Sequence, residues 1–247
     1  MKADELFVIL DSVGSTNNYA MAKLHEGMAN NGQAWFSANQ TEGKGQRNKS
    51  WYSRPGQNIA LSIVFRPGPV FQGNFFLFNA FLANEIINFL RSKFAPHSFT
   101  IKWPNDIYWN DRKAGGILIE NIISGQDWQW SVVGIGLNVN QETFPPVLPN
   151  PVSLSQVTGR AFDVEGLAKV LYKHLLNVYN AGCESFPQVL HTYNEILYKN
   201  GKQVKLKKDN VVFKTTVRGV NEFGQLITED SLERKFSFGE VEWIIPA

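Results

Sequence analysis

Apolar positions along this chain recur with two spacings, and the spacing switches several times. Short runs rich in β-branched and aromatic residues predict strands at 6–10, 34–38, 59–65, 99–103, 107–109, 116–123 and 130–139. Helical spacing predicts a helix over about 15–27, with Ala20, Met21 and Leu24 facing inward. Ser15, Thr16 and Asn17 supply capping oxygens at its start. The apolar segment from Phe75 is interrupted by Asn79, Asn84, Glu85 and Asn88, which predicts a buried helix over 75–93. Asp163 is placed to cap a second long helix reaching Ala181. A third runs from about Glu184 to Tyr198 and stops at Asn200-Gly201. Residues 144–151 are proline-rich and predict a loop.

From Gln203 onward the pattern becomes short alternating strands around Val204/Leu206, Val211/Phe213, Leu226/Ile227 and Phe236/Phe238. Asn221-Glu222-Phe223-Gly224 marks a hairpin among them. The whole predicts an α+β fold: a largely antiparallel mixed sheet packed with helices over 1–199, then a small β-barrel over 200–247. Trp128 and Trp130 are expected on one strand face.

Composition narrows this picture. The chain has 247 residues, 43% of them hydrophobic, and a formal net charge of +2. That suits a globular protein and makes no demand for a nucleic-acid partner. Cys183 is the single cysteine, so no internal disulfide forms, and a reducing cytoplasm is the simplest setting. The N-terminal ten residues do not read as a secretory leader, and no apolar run predicts a membrane span. His25, His97, His174 and His191 lack metal-ligand spacing; neither zinc nor haem is expected.

Three segments carry candidate chemistry. The first is Lys102-Trp103-Pro104-Asn105-Asp106, followed at Lys113 by Ala114-Gly115-Gly116. Pro104 biases Trp103 toward extended backbone, and the paired glycines admit a ligand close to the main chain. A lysine beside such backbone suits an anion; the same residues also describe a hairpin with an ordinary surface lysine. The second segment, 40–51, interleaves Gly43 and Gly45 with Lys44, Arg47 and Lys49. It suits phosphates but matches neither the P-loop nor the dinucleotide fingerprint. In the third, Gly134, Gly136 and Asn138 share one strand face, leaving room for either a ligand or a bulky neighbouring helix.

In this order the segments resemble the biotin protein ligases. The match comprises Ser15-Thr16-Asn17 after the first strand, the loop from Gln40 to Trp51, Lys102 to Asp106, Lys113-x-Gly-Gly, and Gly134-Ile-Gly-Leu-Asn138. The resemblance implies a core like that of class II aminoacyl-tRNA synthetases and an SH3-like C-terminal barrel. It implies that ATP and Mg²⁺ convert biotin to biotinyl-5′-AMP with pyrophosphate release. A lysine of a biotin carboxyl carrier domain then takes the biotinyl group. Lys113, Asp106 and Arg47 would be the catalytic residues. Ser15, Thr16, Asn17, Gln40, Gly43, Lys44, Gly45, Gln46, Lys113, Gly115, Gly116 and Gly134 would contact biotin. Lys44, Arg47, Lys49, Trp51, Asn105 and Asn138 would contact the nucleotide. For Asp106 three roles stay open: metal ligand, orienter of the adenylate, or acceptor of the amine's proton. The chain departs from the commonest loop pattern, since Gln46 stands where many members place an arginine and Arg47 is the substitute cation. Lipoate ligases and non-catalytic biotin binders are the rivals. A DNA-binding repressor role is not expected, because the first catalytic strand begins near Leu6. A homodimer stays open.

Overall fold

The computed structural model of the chain describes residues 5–183 and 185–245. The expected helix start at Glu184 lies outside them, as do the first four and last two residues. The first sheet has seven strands in the order β1-β2-β3-β7-β6-β5-β4. These are β1 (Phe7–Ile9), β2 (Ala34–Ser37), β3 (Asn58–Phe65), β4 (Phe99–Lys102), β5 (Asp106–Trp109), β6 (Arg112–Ser124) and β7 (Asp127–Asn138). Only the β1–β2 pair is parallel, and α1 (Thr16–His25) connects these two strands. The remaining neighbours pair antiparallel.

All eight residues of β3 are buried, because helices cover both faces of the sheet. On one face Ile59, Leu61, Ile63 and Phe65 join Val133, Ile135 and Leu137 of β7. They pack beneath α2 (Phe75–Lys93) and α4 (Val164–Ala181), with Tyr193 of α5 (Phe186–Glu195) in the same core. On the other face Val64, Val132 and Trp35 meet Ala20 of α1, flanked by Tyr19, Met21 and Leu24. The alternate positions on that second face include Ser62, Gly134, Gly136 and Asn138. The period of two therefore separates the main core from a second face that is apolar under α1 and carries small and polar residues toward the other end of the strands. A short helix, α3 (Leu154–Thr158), opens on a capping box of Ser153 and Gln156, an element not predicted from the sequence.

Two expectations need correction. Residue Gln129 bulges out of the β6–β7 pairing, since Ile122 faces Trp130 while Ile123 faces Trp128. The bulge sends Trp128 under Phe75 and Phe78 and Trp130 to the α1 side beside Arg66, so the two do not share a face.

The second correction concerns the C-terminal strands. β8 (Gln203–Lys208), β9 (Val211–Val220), β10 (Leu226–Glu229), β11 (Glu233–Phe236) and β12 (Glu242–Ile244) pair in the order β11-β10-β9-β8-β12. Among the described residues neither end strand pairs with the other, so the sheet is open and is not the expected barrel. Closure would require the edges to exchange hydrogen bonds. The intervening segment instead folds into a turn, with Glu240 N–H donating to Ser237 O at 3.1 Å. Phe238 of this segment lies 6.2 Å from Trp103, and Trp243 of β12 lies 5.7 Å from Tyr198, centroid to centroid. Leu206, Val217, Val220, Leu226 and Phe236 belong to the same core as α2. Alternation in the sequence specifies a half-buried sheet but not what covers it.

No helix among the described residues is long and apolar enough to cross a membrane. Phe78, fully buried between Phe65, Phe71 and Trp128, is a keystone of this core. Phe78→Ala is expected to lower unfolding free energy by about 3–5 kcal/mol, read by urea denaturation; a loss below about 1 kcal/mol would show that the core collapses around the site.

Candidate active site

β4 and β5 form a tight antiparallel pair in which Lys102 faces Asp106. β5 and β6 are joined by a two-residue turn, with Asn110 in the left-handed region at φ 51°. Their pairing then shifts. Tyr108 faces Lys113 and Ile107 faces Gly115, leaving Ala114 without a partner. In a regular strand Lys113 and Gly116 would point to opposite faces. The bulge at Ala114 re-aims Lys113, so its Nζ lies 3.7 Å from where a Cβ on Gly116 would stand. The freed Lys113 backbone bonds instead to the 150–152 segment: its N–H donates to Asn150 O at 2.7 Å and its carbonyl accepts from Val152 N–H at 2.9 Å.

Lys113 Nζ donates to Asp106 Oδ1 at 2.5 Å, and Lys102 Nζ lies 3.6 Å from Oδ2. Asp106 is held from below as well. Asn105 donates its amide to the Ile117 carbonyl, and Ile117 N–H returns a bond to Asn105 O at 3.0 Å. The Pro104 carbonyl accepts from Asn79 at 3.2 Å and from the buried Tyr193 hydroxyl at 2.9 Å. Burial, with Asp106 adding to it, pushes the Tyr193 phenol far above its ordinary pKa, so it remains a donor.

Next to this pair, α1 presents its first turn to the polar face of the sheet. Ser15 caps the helix, its hydroxyl accepting from Asn18 N–H at 3.4 Å. Thr16 N–H donates to Gln40 Oε1 at 2.9 Å. Ser62 donates to Asn17 Oδ1 at 2.6 Å and lies 2.8 Å from Thr16 Oγ1. Asn17 Nδ2 donates to Glu120 Oε2 at 2.8 Å. The network is buried and fixes which way the Asn17 carboxamide faces. A Cβ on Gly134 would collide with that carboxamide, so Gly134 gives room to Asn17.

Loop 40–51 is folded rather than open. Trp51 N–H donates to Gly43 O at 2.7 Å and Gly45 N–H to Lys49 O at 2.6 Å, around a 3₁₀ turn at Gln46–Asn48. The Trp51 indole lies across Gly136, where a Cβ would stand 2.6 Å from the ring. Lys113 Nζ is 5.9 Å from the same ring, and the buried indole N–H has no hydrogen-bond partner. Lys44 and Lys49 are exposed. Arg47 is turned away from Lys113: it donates to Gly239 O at 3.2 Å and lies 5.7 Å from the Phe238 ring. Gly115 packs against the Gly136 carbonyl, which a Cβ would meet at 2.6 Å.

The structure thus brings Ser15, Thr16, Asn17, Gln40, Gly43, Trp51, Asp106, Lys113, Gly116 and Gly134 to one face. Asn105 and Asn138 lie beneath it, bonded to backbone; Asn138 donates to Val152 O at 3.1 Å. Ser62, Glu120, Asn79 and Tyr193 belong to the site and were missed. None stands in a motif, and for Ser62 the only signal is a polar residue inside a fully apolar strand. A groove of about 810 Å³ lined by Arg54, Gln57, Asn140, Gln141 and Glu142 lies past the ends of β3 and β7 and does not reach Lys113.

An ammonium thus stands over glycine backbone, with a hydrogen-bonded network at the start of α1 and a glycine-rich basic loop on the same face. The biotin/lipoate A/B protein ligase family matches residues 9–138. The bifunctional ligase/repressor BirA of Escherichia coli is 28% identical over 243 residues, 94% of this chain and 72% of that protein. The biotin–[acetyl-CoA-carboxylase] ligase of Paracoccus denitrificans is 35% identical over 170 residues, 66% of this chain and 68% of that protein. The biotin protein ligase of Aquifex aeolicus in complex with biotin and ATP superposes with a TM-score of 0.78 at 25% identity, covering 97% of this chain and 99% of that one. The chain belongs to the biotin/lipoate A/B protein ligase family.

Gly136→Ala is expected to push the indole of Trp51 off the sheet. Acrylamide quenching, taken as the difference from a Trp51→Phe chain, should report a shielded indole in the parent and an accessible one in the variant. Equal quenching in both would place the ring elsewhere.

Proposed function

We propose that this chain is an ATP-dependent biotin protein ligase, and that Lys113 is the residue on which its first step turns. The enzyme activates biotin as biotinyl-5′-AMP, releases pyrophosphate, and transfers the biotinyl group to a carboxylase acceptor with release of AMP. The observation that carries the assignment is the aimed ammonium of Lys113 beside Gly116, between the α1 pocket and the glycine loop. In adenylation two anions, a carboxylate and the α-phosphate, must meet. A fixed cation offsets their repulsion and the charge that gathers in the transition state. The carboxylate oxygen attacks the α-phosphorus, the bond to the β-phosphate bridge breaks, and pyrophosphate leaves. In the second step the acceptor amine attacks the acyl carbon, AMP leaves, and the amine loses a proton. Asp106, with one oxygen beside Lys113, is the group we assign to receive that proton.

The pocket favours biotin over lipoate. Ser15, Thr16, Asn17, Gln40 and Ser62 form a hydrogen-bonding surface that suits a cyclic urea, with N–H donors and a carbonyl. These groups bond one another and Glu120 in the structure; a dithiolane offers neither donor nor acceptor and could replace none of those bonds that it displaced. Asn17 is the residue we assign to read the urea, with Glu120 holding it. Lys44, Arg47 and Lys49 we assign to the phosphates. That role requires Arg47 to leave Gly239, a movement suited to a loop with Gly43 and Gly45.

Asp106 does not fit a resident metal site, because both its oxygens already face ammonium groups. No cluster of three His, Cys, Asp or Glu side chains occurs among the described residues. Magnesium enters this proposal only as the triphosphate's own counter-ion. We assign residues 1–199 to catalysis and 200–247 to an accessory sheet, with a lysine of a biotin carboxyl carrier domain as the acceptor.

Pyrophosphate–ATP exchange tests the assignment: it should require biotin and be unsupported by lipoate. Exchange with lipoate alone would overturn it. Lys113→Ala is expected to slow single-turnover adenylation by about 10²–10³-fold, and a rate within threefold of the parent would remove Lys113 from the chemistry.

A further inference from the structure

Asp106 stands between two ammonium groups, and the proposed reaction uses only one of them. Lys102 is its partner across the β4–β5 pair, with Nζ 3.6 Å from Oδ2. The Lys102 side chain is enclosed, with 14% of its surface exposed. Its Nζ lies 5.3 Å from the Tyr108 ring and 5.7 Å from the Trp243 ring. Trp243 belongs to β12, so the C-terminal sheet supplies one wall of this enclosure. Burial lowers the pKa of Lys102, and the charge on Asp106 offsets part of that lowering.

A carboxylate that enters the site must take Lys113 from Asp106. If Lys113 were the sole cation there, that exchange would leave Asp106 partly buried and unpaired, which is strongly unfavourable. Two ammoniums and one carboxylate carry a charge of +1, so the cluster becomes neutral when an acid arrives. Without Lys102 the same cluster would begin neutral and end at −1. We propose that Lys102 is a positioning residue that keeps Asp106 paired and so frees Lys113 for the substrate carboxylate. No covalent bond changes in this step; one ion pair replaces another. The proposal rests on the reading of Lys113 as the partner of the biotin carboxylate.

Titration calorimetry with biotin and with biotinol, the alcohol that lacks the carboxylate, tests it. In Lys102→Met the Kd for biotin should rise about tenfold while that for biotinol stays within about twofold of the parent. Lys102→Arg, which keeps the charge, should restore biotin binding. In an Asp106→Asn background, where Lys113 has no anion to leave, Lys102→Met should change the biotin Kd by less than about twofold. Lys102→Gln is measured in parallel, so that a folding defect of the methionine variant does not decide the outcome. Equal losses for biotin and biotinol would show a merely structural lysine. An undiminished loss in the Asp106→Asn background would show that Lys102 acts on the substrate directly. Either result overturns the proposal. A parent chain that binds neither compound would instead overturn the underlying reading of the ligand.

Discussion

The ion pair between Lys113 and Asp106 is the constraint around which the site is built. An ammonium free in solvent is screened and mobile, and gives little to a reaction between anions. Here it is held by a strand bulge at Ala114, and its backbone is bonded to the 150–152 segment. Asp106 keeps it aimed while no ligand is present. The backbone that leads into Asp106 is fixed by Asn105, and at Pro104 by Asn79 and Tyr193. Helices α2 and α5 therefore support the strand end that carries Asp106 without touching its carboxylate. This is preorganisation in its structural sense: orientation is established by folding, before substrate arrives.

The second theme is the division of one sheet into two faces. Strands β3 and β7 give Ile, Leu, Val and Phe to the side under α2 and α4. Their alternate residues form the floor of the site. That floor contains two glycines because protein groups lie directly on it, Asn17 on Gly134 and the Trp51 indole on Gly136. The ring lies near the lysine with its N–H unpartnered. The basic loop is thus already folded against the site, with Arg47 parked on the C-terminal turn at Gly239. Trp243 beside Lys102 is a second contact from the same C-terminal sheet, which links that sheet to both cationic elements of the site.

Much of this was legible in the residues. The helix at 75–93 and the strand at 59–65 follow from long, strongly patterned segments, and Ser15 caps α1 as its side chain suggests. The Lys102–Asp106 and Lys113–Gly116 blocks mark the β4–β5–β6 segment where Lys102, Asp106 and Lys113 meet, because proline and glycine restrict or free the backbone locally. What was not legible depends on register and on what covers a surface. A bulge depends on the pairing partner, so neither the re-aiming of Lys113 nor the separation of Trp128 from Trp130 can be read from one strand alone. Closure of the C-terminal sheet was expected from alternation, but Phe238 and Trp243 are satisfied by Trp103 and Tyr198, leaving the edges unjoined. Ser62 and Glu120 become site residues only when α1 lies across them.

The central claim is that Lys113 exchanges one carboxylate for another. A crystal structure of the chain with biotin bound tests it most directly. The account predicts the Lys113 ammonium within hydrogen-bonding distance of the biotin carboxylate, withdrawn from Asp106, with Lys102 still beside it. Biotin bound with its carboxylate remote from Lys113, and the Lys113–Asp106 pair intact, would contradict it.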